Sequence, residues 1–222
     1  MEQYMDFEKK VQQVHKPNRV NPQALATLTG TRITEAWKIT HKADAEIVVT
    51  TVAEDLQDYF KVSMNLELAV ETAEAPAPRT IFLAVDEALP ERTFTIKVTD
   101  GIVVNGADPR YTAQGCYALE DKLNMNEAPI IEPGETTLKM RFSMRDIMTG
   151  LITENYPDGY LSAIAHAGFT AIDQGLSTAQ ASIDMVNDIT ARAAKYGLDV
   201  YAHPSLRNTV HPDESHHLRK AE

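Results

Sequence analysis

With a single cysteine, Cys116, the 222-residue chain can form no intrachain disulfide and no cluster of thiolate metal ligands. Long apolar runs are missing too: stretches such as Thr80 to Val85 fall far short of the roughly 20 residues a membrane-spanning helix requires. The N-terminus, Met1 to Lys10, alternates acids and bases and lacks the apolar centre of a secretory leader. Bases are scarce, 21 Lys and Arg against 32 Asp and Glu, and a formal net charge of −11 speaks against nucleic acid as a partner. The positions of Gly101, Gly106 and Gly115 match no phosphate-cradling spacing, so no nucleotide cofactor is expected. Neither a membrane nor a nucleic acid is an expected partner, and a reducing cytoplasm fits the cysteine usage.

What remains is enough for a globular core, since 43% of the residues are hydrophobic. Residues 1–42 are polar, with weak periodicity beyond a short helix near Pro22 to Leu28, and are left unassigned. Ordered structure is expected to begin at Glu46 to Thr51 (EIVVTT), whose β-branched residues read as a strand. Ala53 to Met64 follows as a helix, with Leu56, Tyr59, Phe60 and Met64 at helical spacing. Leu66 to Val70 and Thr80 to Val85 read as strands separated by the proline-bearing loop Glu74 to Arg79. Thr93 to Asn105 alternates apolar and polar residues about Asp100-Gly101, the signature of a tight hairpin whose turn uses positive φ angles. Asp108 then offers an N-cap and Pro109 a first helical residue. Ala113, Cys116, Tyr117 and Leu123 recur on one face of a helix running to about Asn124, with Cys116 as a small core residue.

From Lys139 the texture becomes a strand and helix alternation. Phe142 to Met148, Phe169 to Asp173 and Leu198 to Ala202 read as strands, and Gly159 to Ala167 and Ala179 to Tyr196 as helices. Ile183, Val186, Ile189, Ala193 and Tyr196 form one stripe of the second helix, and Gly197 follows where a left-handed cap is favoured. Three such units in a row imply parallel strands.

Two stretches resemble a known family. Ile81 to Leu123 (IFLAVDEALPERTFTIKVTDGIVVNGADPRYTAQGCYALEDKL) is similar to the second domain of beta-N-acetylhexosaminidases of glycoside hydrolase family 20, seen also ahead of the barrel in alpha-glucuronidases. It has that domain's apolar strand, its hairpin and its helix opening after a small-residue turn. Ile130 to Leu151 (IIEPGETTLKMRFSMRDIMTGL) resembles the join at which the family's "RFPYRG" segment becomes the first barrel strand. Asp146 stands where the family has glycine, and Ile147 to Leu151 replace its Asp-x-x-Arg segment. The Tyr156 to Leu161, Ala167 to Ile172 and Arg192 to Tyr201 segments look like the first helix-to-strand passages of such barrels. The resemblance implies an α/β chain: a small α+β sheet-and-helix accessory domain over residues 43–136, then the first three β/α units of an incomplete TIM barrel over 137–222.

In a parallel barrel the reactive groups gather at the carboxyl ends of the strands. That rule points to Arg145 and Asp146 on the first strand, Asp173 and Gln174 on the second and His203 on the third, with Arg207 and His211 on the loop beyond. By resemblance Arg145 matches an arginine that hydrogen-bonds sugar hydroxyls, a task suited to its rigid fork of donors, or else it forms a salt bridge inside the barrel. Asp173 orients a substrate hydroxyl or caps the next loop, and His203 contacts substrate or is a satisfied loop histidine. His211, His216 and His217 suggest metal ligands, but adjacent His216 and His217 point apart on most backbones, so no metal site is expected. In the resembling family an adjacent Asp-Glu pair at the end of the fourth barrel strand does the catalysis. Asp86-Glu87 and Asp213-Glu214 fall elsewhere, and catalytic residues are expected to be absent. From Arg141 to Glu222 there are about 80 residues, against about 250 for a whole barrel.

The expected function is therefore the N-terminal part of a hexosaminidase-like glycoside hydrolase, inactive alone, with a carbohydrate ligand and a complementary chain or second copy covering the open barrel edge. Two alternatives stand beside it: a non-catalytic carbohydrate-binding or interaction module, and a two-layer protein whose last strands join the first sheet.

Overall fold

A computed structural model describes residues 13–148, 157–176 and 180–204. They form a mixed α/β structure with a six-stranded sheet, a three-stranded sheet and a two-stranded ladder. Helix α1 (Pro22–Thr27) is followed by β1 (Thr31–Arg32), β2 (Lys38–His41), α2 (Ile47–Met64), β3 (Ala69–Thr72), β4 (Thr80–Val85), β5 (Thr93–Val98), β6 (Ile102–Gly106) and α3 (Pro109–Asn126). Next come β7 (Ile130–Ile131), β8 (Gly134–Lys139), β9 (Asp146–Met148), α4 (Asp158–His166), β10 (Ala171–Leu176), α5 (Gln180–Ala193) and β11 (Asp199–Pro204). Among the described residues no helix is long and apolar enough to cross a membrane.

The large sheet has the order β3-β2-β4-β6-β5-β8, with β3, β2, β4 and β6 parallel and β5 antiparallel to both its neighbours. Helices α2 and α3 lie against it and against each other. Their buried residues, Val49, Val52, Leu56 and Phe60 on α2 and Cys116, Leu119 and Leu123 on α3, meet Ile39, Ile81, Leu83, Ile96 and Val104 of the strands in one core. The hairpin and α3 stand where the sequence puts them, and the Asp108 side chain caps α3 by accepting from the Tyr111 N–H at 3.0 Å.

Three expectations are corrected. Glu46 to Thr51 is not a strand: Ile47 onward is the start of α2, because Val49, Val52, Ala53, Leu56 and Phe60 line one helical face whose burial outweighs β-branched propensity. Order does not wait for Glu46 either, since β2 sits inside the large sheet with Trp37 and Ile39 buried. The hairpin turn does not depend on positive φ at Gly101; a Cβ there would lie 2.6 Å from the Ala77 carbonyl oxygen, so glycine is needed for close approach of the neighbouring loop.

The three-stranded sheet has the order β11-β10-β9, all parallel and separate from the large sheet. That separation removes the two-layer alternative. The first of these strands begins at Asp146, later than the predicted Phe142, and Phe142 and Met144 are exposed before it. Ile147, Ile172 and Val200 sit in one register row and pack toward α4 and α5. The next row, Met148, Asp173 and Tyr201, faces the other way; there Met148 is 73% and Tyr201 48% exposed. A 3-10 turn, Ala194–Tyr196, follows α5 and is capped by Gly197 at φ 68°, where a Cβ would press on Arg110 at 3.3 Å. Gly197→Ala is expected to lower the unfolding free energy by about 1 kcal/mol or more, measurable by urea denaturation, since alanine resists this conformation.

The small sheet's helices join the large unit through polar and apolar contacts. The buried Gln114 side chain of α3 donates to the Ala165 carbonyl of α4 at 3.0 Å, and Arg110 meets Asp199 at 2.8 Å. The N-terminal segment is tied on as well. Ser63 donates to the Lys16 carbonyl at 2.9 Å, and the Arg19 N–H donates to the Ser63 carbonyl at 3.0 Å.

Candidate functional site

Two regions have the makings of a site. The first is the one the sequence indicated, at the small sheet. Asp173 is the third residue of β10 and lies partly buried in the row between Met148 and Tyr201. His203 is the fifth residue of β11, in register with Gly175. Asp173 and His203 are thus on adjacent strands, His203 nearer the carboxyl end. Arg145 is placed differently. It precedes β9 at the amino end, where its guanidinium donates to the carbonyl oxygens of Gly168 and, at 3.0 Å, Phe142. Its own N–H is received by the Thr170 hydroxyl at 2.9 Å, so the residue joins the strand entry to the α4–β10 turn. Arg207, His211, Asp213, Glu214, His216 and His217 lie outside the described residues. Cys116 is fully buried, and burial followed by the negative charges of Glu120 and Asp55 pushes its thiol well up, which makes it a poor nucleophile.

The second region was not visible in the sequence. His15 of the N-terminal segment, Asp55 of α2, Glu120 of α3 and His166, the last residue of α4, meet where these four elements converge. His15 Nε2 lies 3.6 Å from Asp55 Oδ2 and 3.6 Å from Glu120 Oε2. His166 Nε2 lies 3.0 Å from Asp55 Oδ2 and 3.4 Å from Glu120 Oε2. The opposite ring nitrogens are held from outside: His15 Nδ1 is 2.9 Å from Asp58 Oδ2, and His166 Nδ1 is 2.8 Å from the Ser162 carbonyl oxygen. The two imidazole planes are inclined at 71°, Tyr59 stands edge-on to His15, and Tyr117 stacks on His166 with centroids 3.9 Å apart. A recess of about 180 Å³, bordered by Val14, Arg19, Tyr117 and Asn124, opens beside the cluster.

The electrostatics of the four groups are strongly coupled. Burial alone would lower the imidazole pKa values, yet the Asp55 and Glu120 carboxylates overcome it, pushing His15 up to about 11 and His166 up to about 10. Burial would likewise raise Asp55, but the two imidazoles hold it well below the usual carboxylate range. No fixed spacing in the chain links these residues, which explains why the sequence did not reveal them.

Scans against models of protein families and against curated proteins find no match. Solved structures do match in fold. The family 20 beta-N-acetylhexosaminidase of Streptomyces coelicolor superimposes with a TM-score of 0.62 at 15% identity, over 83% of this chain and 46% of that one. A mutant Streptomyces plicatus beta-hexosaminidase, solved with GlcNAc as product, gives a TM-score of 0.61 at 15% identity, over 78% and 43%. A GH138 enzyme targeting pectin rhamnogalacturonan II gives 0.58 at 14% identity, over 83% and 33%. The chain has a glycoside hydrolase-like fold, similar to that of hexosaminidases, and spans less than half the length of these structures.

Proposed function

We propose that these residues form the front part of a hexosaminidase-like glycoside hydrolase: an accessory domain, expected over residues 43–136 and carrying in addition β2 before it and the end of β8 after it, followed by the first three β/α units of a TIM barrel, acting on carbohydrate together with further barrel units and inactive without them. The observation behind this reading is the register row Met148–Asp173–Tyr201, an exposed face on three parallel strands in sequential order. In a closed barrel that row points inward and is covered by the other strands. Two apolar side chains left open beside a carboxylate suit a surface completed by more chain.

On this reading Asp173 and His203 approach the sugar from neighbouring strands, as acceptor and donor of hydrogen bonds to hydroxyls. Arg145 joins them only by turning its guanidinium away from the Gly168 and Phe142 carbonyls, a rearrangement that further strands would have to favour. The supply of catalytic carboxylates falls to the rest of the barrel.

The reading is tested with the isolated 222-residue chain. It is expected to release no chromophore from an aryl N-acetyl-beta-glucosaminide, and to self-associate with rising concentration in sedimentation experiments. Replacing Met148 and Tyr201 together by lysine is expected to abolish that association. Hydrolysis by the chain alone, or strictly monomeric behaviour at high concentration, would contradict the proposal.

A further inference from the structure

We propose that His15, Asp55, Glu120 and His166 bind one divalent transition-metal ion, zinc, as a structural site that fastens the N-terminal segment and helix α4 to helices α2 and α3. The site is independent of any sugar chemistry at the small sheet.

Zinc takes imidazole nitrogen and carboxylate oxygen at about 2.0–2.1 Å, and a tetrahedron of that size has edges of roughly 3.3–3.4 Å. The four nitrogen–oxygen edges here, 3.0, 3.4, 3.6 and 3.6 Å, bracket that value. One ligand atom from each of the four residues lies within 4.8 Å of all the others.

Despite their closeness, His15 Nε2, His166 Nε2 and Asp55 Oδ2 are buried atoms without a hydrogen-bond partner, and so is Oε1, the other carboxylate oxygen of Glu120. Ordinary imidazole–carboxylate bridges would align an N–H with each oxygen, because leaving such groups unsatisfied away from water is costly. A central cation satisfies lone pairs from all sides at once.

Ring orientation agrees. The Asp58 carboxylate and the Ser162 carbonyl are both hydrogen-bond acceptors, so each Nδ1 facing them carries a proton. Zinc binding displaces the Nε2 proton of each ring to solvent; with Nδ1 kept protonated, the neutral imidazole turns its Nε2 lone pair inward, and the outer acceptor fixes the ring in the manner common to metal-bound histidines. Two neutral imidazoles, two carboxylates and one divalent cation sum to zero charge, so the buried site is left without an uncompensated ion. A nitrogen and oxygen donor set without thiolate suits zinc in preference to copper(I), and four protein ligands fill a tetrahedron.

The experiment uses the full chain carrying His211→Ala, His216→Ala and His217→Ala, so that C-terminal histidines cannot supply metal binding of their own. After chelator treatment and dialysis against Zn²⁺, metal analysis is expected to find one zinc per chain. Glu120→Gln and His166→Ala in that background are expected to abolish it. Asp58→Asn is expected to weaken it about 10- to 100-fold, as loss of an outer-shell carboxylate does. Should either ligand variant fail to fold, Co²⁺ titration of the folded parent decides alone: intense visible bands of a four-coordinate centre support the site, and weak octahedral bands or none overturn it. Absence of zinc from the parent, or zinc retained in folded Glu120→Gln and His166→Ala, also overturns it.

Discussion

A chain beginning at Ala43 is expected to lose its cooperative unfolding transition altogether. The missing residues contain β2, which pairs with β3 on one side and β4 on the other, so β3 would be left without its only sheet neighbour among the described strands. They also contain Ile33, Trp37 and Ile39, each at most 4% exposed. Removing a single large buried side chain destabilises by about 2–5 kcal/mol. Three of them, with a central strand, outweigh the roughly 5–15 kcal/mol by which a typical domain is stable. Circular dichroism during a urea titration is the measurement. A sharp transition with an unchanged midpoint would show that the first 42 residues are dispensable.

This segment was not legible in the sequence. β2 is only four residues long, Lys-Ile-Thr-His, and strand patterns need more length than that to emerge from their surroundings. Its identity as a strand comes from β3 and β4 on either side, which are distant in sequence. Ile47 to Val52 shows the converse. Its β-branched residues look like a strand locally, and the sheet face beneath α2 decides otherwise. By contrast the β5–β6 hairpin and α3 were legible because every signal was local: alternation, the Asp100-Gly101 turn, the Asp108 cap and Pro109. The small sheet was legible at the level of strand order, while its boundaries moved by a few residues. At the candidate sites the same rule holds. Asp173 and His203 follow from strand positions, whereas His15 joins Asp55, Glu120 and His166 only after four elements have packed together.

That convergence also governs how much the cluster matters to stability. With metal chelated, Glu120→Ala is expected to lower the unfolding free energy by about 3–5 kcal/mol, the usual result of removing one partner from a buried ionic group. The Glu120 side chain is 4% exposed and lies 3.6 Å from His15 and 3.4 Å from His166, so its loss leaves Asp55 as the acid between the two buried imidazoles, with the exposed Asp58 carboxylate reaching only the outer nitrogen of His15. A useful comparison is Lys38 and Glu71, whose 2.8 Å separation is shorter than any in the cluster but whose side chains are 47% and 48% exposed. Water and salt screen that pair, and Glu71→Ala is expected to change stability by less than about 1 kcal/mol. Urea denaturation of both variants in chelator decides between burial and distance as the controlling factor. Equal losses would mean that solvent reaches Glu120 as freely as Glu71. A larger loss at Glu120 would place the four-element junction among the contacts on which the fold depends, with or without a metal ion at its centre.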